Sequence, residues 1–197
     1  MNEVAIIDSG GANLASLQYA LERLGATSIV SDDPERIASA RRVLLPGVGA
    51  AGDAMRRLRE RGIDEVIPCL KVPLLGICLG MQLLFEHSGE DDTPCLGVLA
   101  GNIGRLQPSV ARPVPHMGWN TLEAIAEDAL LRDVGRDDHL YFVHSYAAPV
   151  SKATLASVRY GEDFAAVVRR DNFCGVQFHP ERSGKVGARV LRNFLTL

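Results

Sequence analysis

The sequence predicts one α/β domain whose central sheet is mixed but mainly parallel and is flanked by helices. Three observations carry this. Short, continuously apolar runs recur in the first half, separated by stretches of helical spacing, which is the pattern of parallel strands covered on both faces. The second half carries strand signals in close succession. No repeat, low-complexity stretch or linker divides the 197 residues, so a single domain over 1–197 is expected, long enough to bury its core without disulfides.

Val4 to Ile7 form an apolar run closed by Asp8-Ser9-Gly10-Gly11, the first strand. Leu14, Leu17, Leu21 and Leu24 then recur at helical spacing, and Gly25 stops the helix. A second strand follows over 27–31. Asp32-Asp33-Pro34 caps a short helix running through Ala40, since proline suits the first helical turn. Val43-Leu44-Leu45 is the third strand, followed by Pro46-Gly47-Val48-Gly49 and a helix containing Met55 and Leu58. The fourth strand, 73–77, leads into a helix carrying Leu79, Gln82, Leu83 and Leu84. Further strands are expected over 97–106, 139–146, 154–160, 164–169 and 174–178. A final helix over 185–197 turns Val186, Val190, Leu191 and Phe194 inward.

Composition excludes several classes. Lys+Arg number 21 against 24 Asp+Glu, a net charge of −3, and no basic cluster offers a nucleic-acid surface. No apolar run is long enough to cross a bilayer, so no membrane association is expected. The first residues lack a basic segment followed by a long apolar stretch and read as a strand, not a signal peptide. Cys69, Cys78, Cys95 and Cys174 lack CxxC spacing. That disfavours a zinc site or a disulfide framework and suits a reducing, cytoplasmic setting.

Gly47-Val48-Gly49-Ala50-Ala51-Gly52 is a literal GxGxxG between a strand and a helix. It follows the third strand where a dinucleotide fingerprint follows the first, and the next strand does not end in an acidic residue for a ribose hydroxyl. A tight glycine turn is the better reading, and no nucleotide cofactor is expected.

Gly76-Ile77-Cys78-Leu79-Gly80 is the strongest signal: a nucleophile between glycines at a strand-to-helix junction. Such an elbow exposes the nucleophile on a strained turn, and the glycines admit neighbouring backbone. A helix starting after Cys78 would bring its positive end to the sulfur and favour thiolate. The bland alternative, a packed core cysteine, does not call for glycines that weaken a strand end. His179-Pro180-Glu181 closes the last strand and supplies a base with a carboxylate to orient it. The same pair could ligate a metal, and its H-x-E spacing occurs in zinc deaminases, but no P-C-x-x-C follows. No metal is expected. His87 and His139 read as solvent-facing. His116 and His144, in polar-aromatic segments, fit either core packing or binding.

Gly76-Ile77-Cys78-Leu79-Gly80-Met81-Gln82 with Gln177-Phe178-His179-Pro180-Glu181 resembles the class I (triad) glutamine amidotransferases, of flavodoxin-like fold. Within them the chain is most similar to the glutaminase subunits of imidazole glycerol phosphate synthase. That similarity rests on Asn13-Leu14, on Pro115-His116-Met117-Gly118-Trp119-Asn120, on Tyr141 to Tyr146 and on Ser183-Gly184-Lys185. The resemblance implies that Cys78 attacks the glutamine amide, with His179 moving protons and Glu181 holding the imidazole. It implies an oxyanion site at the Leu79 and Val48 N–H groups, and a glutamine site at Gly49, Gln82, Glu90, Ser145 and Tyr146. The implied partner is a (β/α)₈ synthase subunit that uses the ammonia in histidine biosynthesis. Asn13, Met117, Trp119, Tyr141 and Lys185 are expected to face it. The chain departs from the family pattern at Ala12, Arg182 and Ala147. The competing readings are an amidotransferase subunit of another synthase, such as anthranilate synthase, and a non-catalytic binding module with an inert Cys78.

Overall fold

The computed structural model describes residues 3–10, 14–123 and 125–197. Its first half alternates strand and helix: β1 (Glu3–Ile7), α1 (Leu14–Arg23), β2 (Thr27–Ser31), α2 (Pro34–Ser39) and β3 (Arg42–Gly47). Then come α3 (Ala51–Glu60), α4 (Ile63–Val66), β4 (Leu74–Cys78) and α5 (Leu79–Gln82). Successive side chains of β1 enter opposite cores, Val4 and Ile6 one, Ala5 and Ile7 the other. Two-sided burial is why the strand reads as an unbroken apolar run. α1, through Leu17, Ala20 and Leu21, shares the first core with the last helix, α6 (Gly184–Phe194). α2 to α5 pack into the second core through Ile37, Met55, Leu58, Ile63 and Leu79. The Asp33 cap of α2 is as expected: its carboxylate accepts the Glu35 N–H at 2.9 Å, worth about 1 kcal/mol.

The second half supplies β5 (His87–Ser88), β6 (Thr93–Pro94), β7 (Asn102–Arg105), β8 (His116–Thr121), β9 (His139–His144) and β10 (Tyr146–Ala147). β11 (Thr154–Tyr160), β12 (Glu162–Arg170) and β13 (Phe173–Val176) complete the main sheet. Its seven strands run in the order β11-β12-β13-β4-β3-β1-β2. β2, β1, β3, β4 and β13 are parallel, and β12 and β11 extend the sheet antiparallel. The parallel part has the flavodoxin-like order, in which ligands sit beyond the carboxyl ends of the strands. β10-β7-β5-β6 form a small second sheet, and β8 and β9 a separate antiparallel pair. Among the described residues, no helix is long and apolar enough to cross a membrane.

Three expected elements are shorter than their patterns suggest. α5 stops after one turn because the next carbonyls are taken from outside: Leu83 O by Leu96 N–H, Leu84 O by Leu99 N–H and Phe85 O by Gly97 N–H. The strand expected over 97–106 is confined to β7, since Gly97 (φ 64°) and Gly101 (φ 112°) bend the residues before it. The strand expected over 139–146 breaks at Ser145, whose carbonyl accepts the Leu106 N–H at 2.9 Å. Beyond that break the chain joins the small sheet as β10. His87 is also half-buried, with Nε2 3.0 Å from Asp92, whereas His139 is exposed as expected.

Candidate active site

β4 ends at Cys78 and the chain turns at once into α5. The turn holds Cys78 at φ 53°, ψ −112°, a conformation that non-glycine residues seldom adopt. Bare backbone makes the turn possible. A Cβ on Gly80 would lie 1.7 Å from the Leu45 oxygen, and one on Gly76 would lie 2.6 Å from the Gly80 oxygen. At the end of β3, a Cβ on Gly47 would come within 2.9 Å of the Gly80 nitrogen. Gly47 therefore packs the elbow, and Gly49 (φ 89°) makes the tight turn after it.

Cys78 is 6% exposed, and it lines a cleft of about 390 Å³. Its Sγ lies 3.8 Å from the Val143 carbonyl and accepts from Gln177 Nε2 at 3.7 Å. The helix-dipole expectation needs correcting. With α5 only Leu79–Gln82 long, there is little macrodipole to act on the sulfur. What remains is local: the first N–H groups of the turn, at Leu79 and Gly80, have no acceptor within it.

His179 follows β13 and is fixed by its backbone N–H, which donates to the Tyr141 carbonyl at 2.9 Å. Its Nδ1 stands 2.9 Å from Glu181 Oε1, with both side chains 8% exposed. A carboxylate only accepts, so Nδ1 carries a proton in either charge state, and Nε2 is the nitrogen that gains or loses the second one. Nε2 and Glu181 Oε2 are buried without a hydrogen-bond partner among the described residues. Burial opposes charge on the imidazole, but the Cys78 sulfur and the Glu181 carboxylate outweigh it and raise the pKa to about 10. Nε2 can thus accept a thiol proton and hold it. Among the described residues, no group of three or more His, Cys, Asp or Glu side chains is arranged for a metal ion.

Val48, Gly49, Leu79, Gln82, Glu90, Ser145 and Tyr146 line the same cleft as Cys78, His179 and Glu181. Glu90 accepts the Ala51 N–H at 2.9 Å, and its pKa is raised chiefly by burial, with Asp91 adding and that hydrogen bond opposing. Gln82 is partly committed within the protein. Its Nε2 donates to the Tyr146 carbonyl at 2.8 Å and to Gln177 Oε1 at 3.0 Å, leaving only Oε1 for a ligand.

The residues expected at a partner surface gather on the β8–β9 pair. Met117 and Trp119 are 67% and 56% exposed, and Met117 pairs with Val143, a cleft residue. Trp119 stands edge-on to Tyr141 at 5.7 Å. Lys185 is exposed in the first turn of α6, but the cation over the Tyr141 ring is Arg182, at 4.4 Å, which also lines the cleft. Asn13 lies outside the described residues.

Sequence reasoning passed over Gln177, Arg182 and Ser183 as functional side chains. Ser183 accepts the Tyr141 N–H at 3.0 Å and donates to the His179 carbonyl at 2.7 Å, tying the base to the β8–β9 pair. Gln177 could have been found: it is fully buried two residues before His179, and it is the polar residue in an otherwise apolar run.

Residues 5–197 match the family model described as "Glutamine amidotransferase class-I". The chain is 54% identical to the imidazole glycerol phosphate synthase subunit HisH of Xanthomonas euvesicatoria pv. vesicatoria, and the match covers 100% of this chain and 98% of that one. It is 53% identical to the HisH subunit of Xylella fastidiosa (strain Temecula1) over the same shares. A solved glutamine amidotransferase superposes with a TM-score of 0.76 at 23% identity, covering 98% of this chain and 97% of that one. A second, from Thermotoga maritima, superposes with a TM-score of 0.70 at 16% identity, over 98% of this chain and 96% of that one.

Proposed function

The chain belongs to the class I glutamine amidotransferases and to the branch of that family that contains the HisH subunits of imidazole glycerol phosphate synthase. On that premise, we propose that it hydrolyses glutamine at Cys78 and passes the ammonia to a (β/α)₈ cyclase subunit. That subunit would form imidazole glycerol phosphate and aminoimidazole carboxamide ribonucleotide in histidine biosynthesis. The observation that carries the chemistry is the strained Cys78 elbow sharing one cleft with a buried His179–Glu181 pair whose Nε2 is unpartnered.

Glutamine enters with its side-chain amide over Cys78. His179 Nε2 takes and holds the thiol proton, the sulfur attacks the amide carbon as thiolate, and Glu181 stabilises the imidazolium through Nδ1. The oxygen of the tetrahedral intermediate takes up negative charge, for which the Leu79 and Val48 N–H groups are the donors in this reading. The intermediate expels ammonia with the proton from His179, leaving a thioester on Cys78. Water, deprotonated by His179, attacks that thioester, and glutamate leaves as the proton returns to sulfur. Gly49, Glu90, Ser145 and Tyr146, with Gln82 Oε1, surround the amino-acid end of the substrate. Glu90 suits its ammonium, Ser145 a polar contact.

The surface of exposed Met117 and Trp119 with half-buried Tyr141, and Arg182 on the Tyr141 ring, is where the cyclase subunit docks in this reading, beside the cleft from which ammonia leaves. The test separates ammonia production from its use. In the complex, Cys78→Ala is expected to abolish glutamine-dependent synthesis and spare synthesis from added ammonium salt. His179→Ala should behave alike, and Glu181→Ala more mildly, since orienting a base contributes less than moving the proton. Loss of both activities at equal protein level would refute the assignment.

A further inference from the structure

From His144, in the cleft lining, a buried polar chain that the hydrolysis above does not use runs back to His116. Strand register sets His116 opposite His144 in the β8–β9 pair, and the two are 3% and 6% exposed. His116 Nδ1 stands 3.0 Å from His144 Nε2, and His144 Nδ1 stands 2.8 Å from the Tyr146 carbonyl. Asn120 Nδ2 stands 3.4 Å from His116 Nε2.

The Tyr146 end fixes every proton in this chain. A carbonyl only accepts, so His144 donates from Nδ1 and, as a neutral ring, accepts at Nε2. His116 must then donate from Nδ1 and accept at Nε2, where the Asn120 amide N–H points. Burial keeps both rings neutral, lowering His116 to about 4 and His144 to about 3. The aromatic surroundings leave neither ring room to turn: His116 is stacked between Phe142 at 5.0 Å and Tyr160 at 4.0 Å, and His144 meets Phe164 at 5.0 Å. The chain does not end at Tyr146. That carbonyl also accepts from Gln82 Nε2, whose other bond goes to Gln177 Oε1, and Gln177 Nε2 donates to Cys78 Sγ at 3.7 Å.

Plain packing would be met by apolar side chains, with no polar group to desolvate. Two imidazoles bonded in a single direction, ending on the backbone of a cleft residue, call for a different account. We propose that His116 and His144 are positioning residues for glutamine. Their one-way hydrogen-bond chain pins the Tyr146 carbonyl, and through it Gln82, so that the Ser145–Tyr146 wall stands at the distance from Cys78 that glutamine needs. This rests on the glutaminase reading. It adds residues whose facing ring nitrogens are committed to each other and, at His144, to the Tyr146 carbonyl, and that act on substrate affinity more than on the chemical step.

The test uses the full chain and two reagents for Cys78: 6-diazo-5-oxo-norleucine, which must occupy the glutamine site, and iodoacetamide, which need not. His144→Phe and His116→Phe are expected to raise the half-saturating concentration of the glutamine mimic about tenfold, the effect of one buried hydrogen bond. The iodoacetamide rate should stay within about twofold. His144→Asn and His116→Asn carry an N–H where Nδ1–H stood and are expected to recover most of the loss. Where a Phe variant does not fold, His144→Gln decides: it keeps a polar side chain but carries its N–H at the Nε2 position, and should show the same tenfold loss. Unchanged saturation in the Phe or Gln variants overturns the proposal, as do Asn variants no better than Phe. Wild-type protein that the mimic does not label at Cys78 overturns the glutaminase reading as well, so the two failures are told apart.

Discussion

Replacing Gly80 with Ala adds one methyl group at the most crowded point of the elbow. The new carbon would stand 1.7 Å from the Leu45 oxygen and 2.7 Å from its carbonyl carbon, whereas real Cβ atoms essentially never come closer than 3.0 Å. Both clashing atoms are backbone of β3, so no rotamer change relieves the contact, and α5 and β3 must separate by more than about 1 Å. Helix propensity pulls the other way, since Ala exceeds Gly by about 1 kcal/mol. Overpacking costs about 1–3 kcal/mol where neighbours can yield. Two main-chain segments yield poorly, so a net loss of about 2–3 kcal/mol is expected. For a domain of this size that lowers Tm by about 4–12 °C. A displacement of about 1 Å between Cys78 and His179 also costs roughly 10²-fold in rate. The assay is calorimetric melting of Gly80→Ala beside Gly97→Ala, where φ is 64° but nothing lies within 4 Å of the added carbon. The control is expected to lose only backbone strain, about 1 kcal/mol. A Gly80→Ala melt within about 2 °C of wild type, or no lower than the control, would refute the view that backbone contact holds the elbow.

Acid stability follows from the buried histidine pair: folded pKa values of about 4 and about 3 lie below the unfolded value of about 6.5, so the unfolded chain gains protons that the folded chain refuses. Their contribution is complete well above pH 6.5 and is lost as pH falls through 6.5 toward 3, a loss on the order of 2 kcal/mol per ring and about 4 kcal/mol for the pair at pH 5, and urea melts should show it flattened in a His116→Asn/His144→Asn double variant. Trp119→Ala is expected to leave Tm nearly unchanged, because the ring is 56% exposed, and to weaken cyclase binding about tenfold or more. Unchanged affinity by titration calorimetry would reject Trp119 as an anchor.

The inner parallel strands were legible because they are buried on both faces: Val4 to Ile7 admits no polar residue, and burial is what hydropathy reports. The elbow was legible because glycine needs a reason in a strand, and Gly76 has one in the Gly80 backbone and Gly80 in that of Leu45. What stayed hidden is set by distant partners. His139 to Tyr146 keeps an unbroken strand pattern, yet the strand ends at Ser145 because Leu106 and Gln82 bind the carbonyls there. β5 and β6 are two residues each, too short to show a period. Arg182 and Ser183 acquire their partner only when the chain after β13 meets Tyr141 of β9, and Gln177 only when it meets Cys78 and Gln82 at the elbow. His116 and His144, ambiguous in sequence, become interpretable once register sets one against the other.

The floor beneath the nucleophile is closed by glycines packed against neighbouring backbone and side chains, and that has a consequence for how such a cleft can diversify. A Cβ on Gly175 would come within 2.6 Å of Met81 Cγ, and Gly47, Gly76 and Gly80 leave no more room. None of these four glycines can take a larger side chain from below without a clash. New substrate preferences must therefore be written from above, at Val48, Glu90, Ser145 and Tyr146, on segments that join the sheet's carboxyl edge to the rest of the chain. The founding geometry of the nucleophile stays fixed while the rim varies, and one elbow can serve many acceptors without being rebuilt.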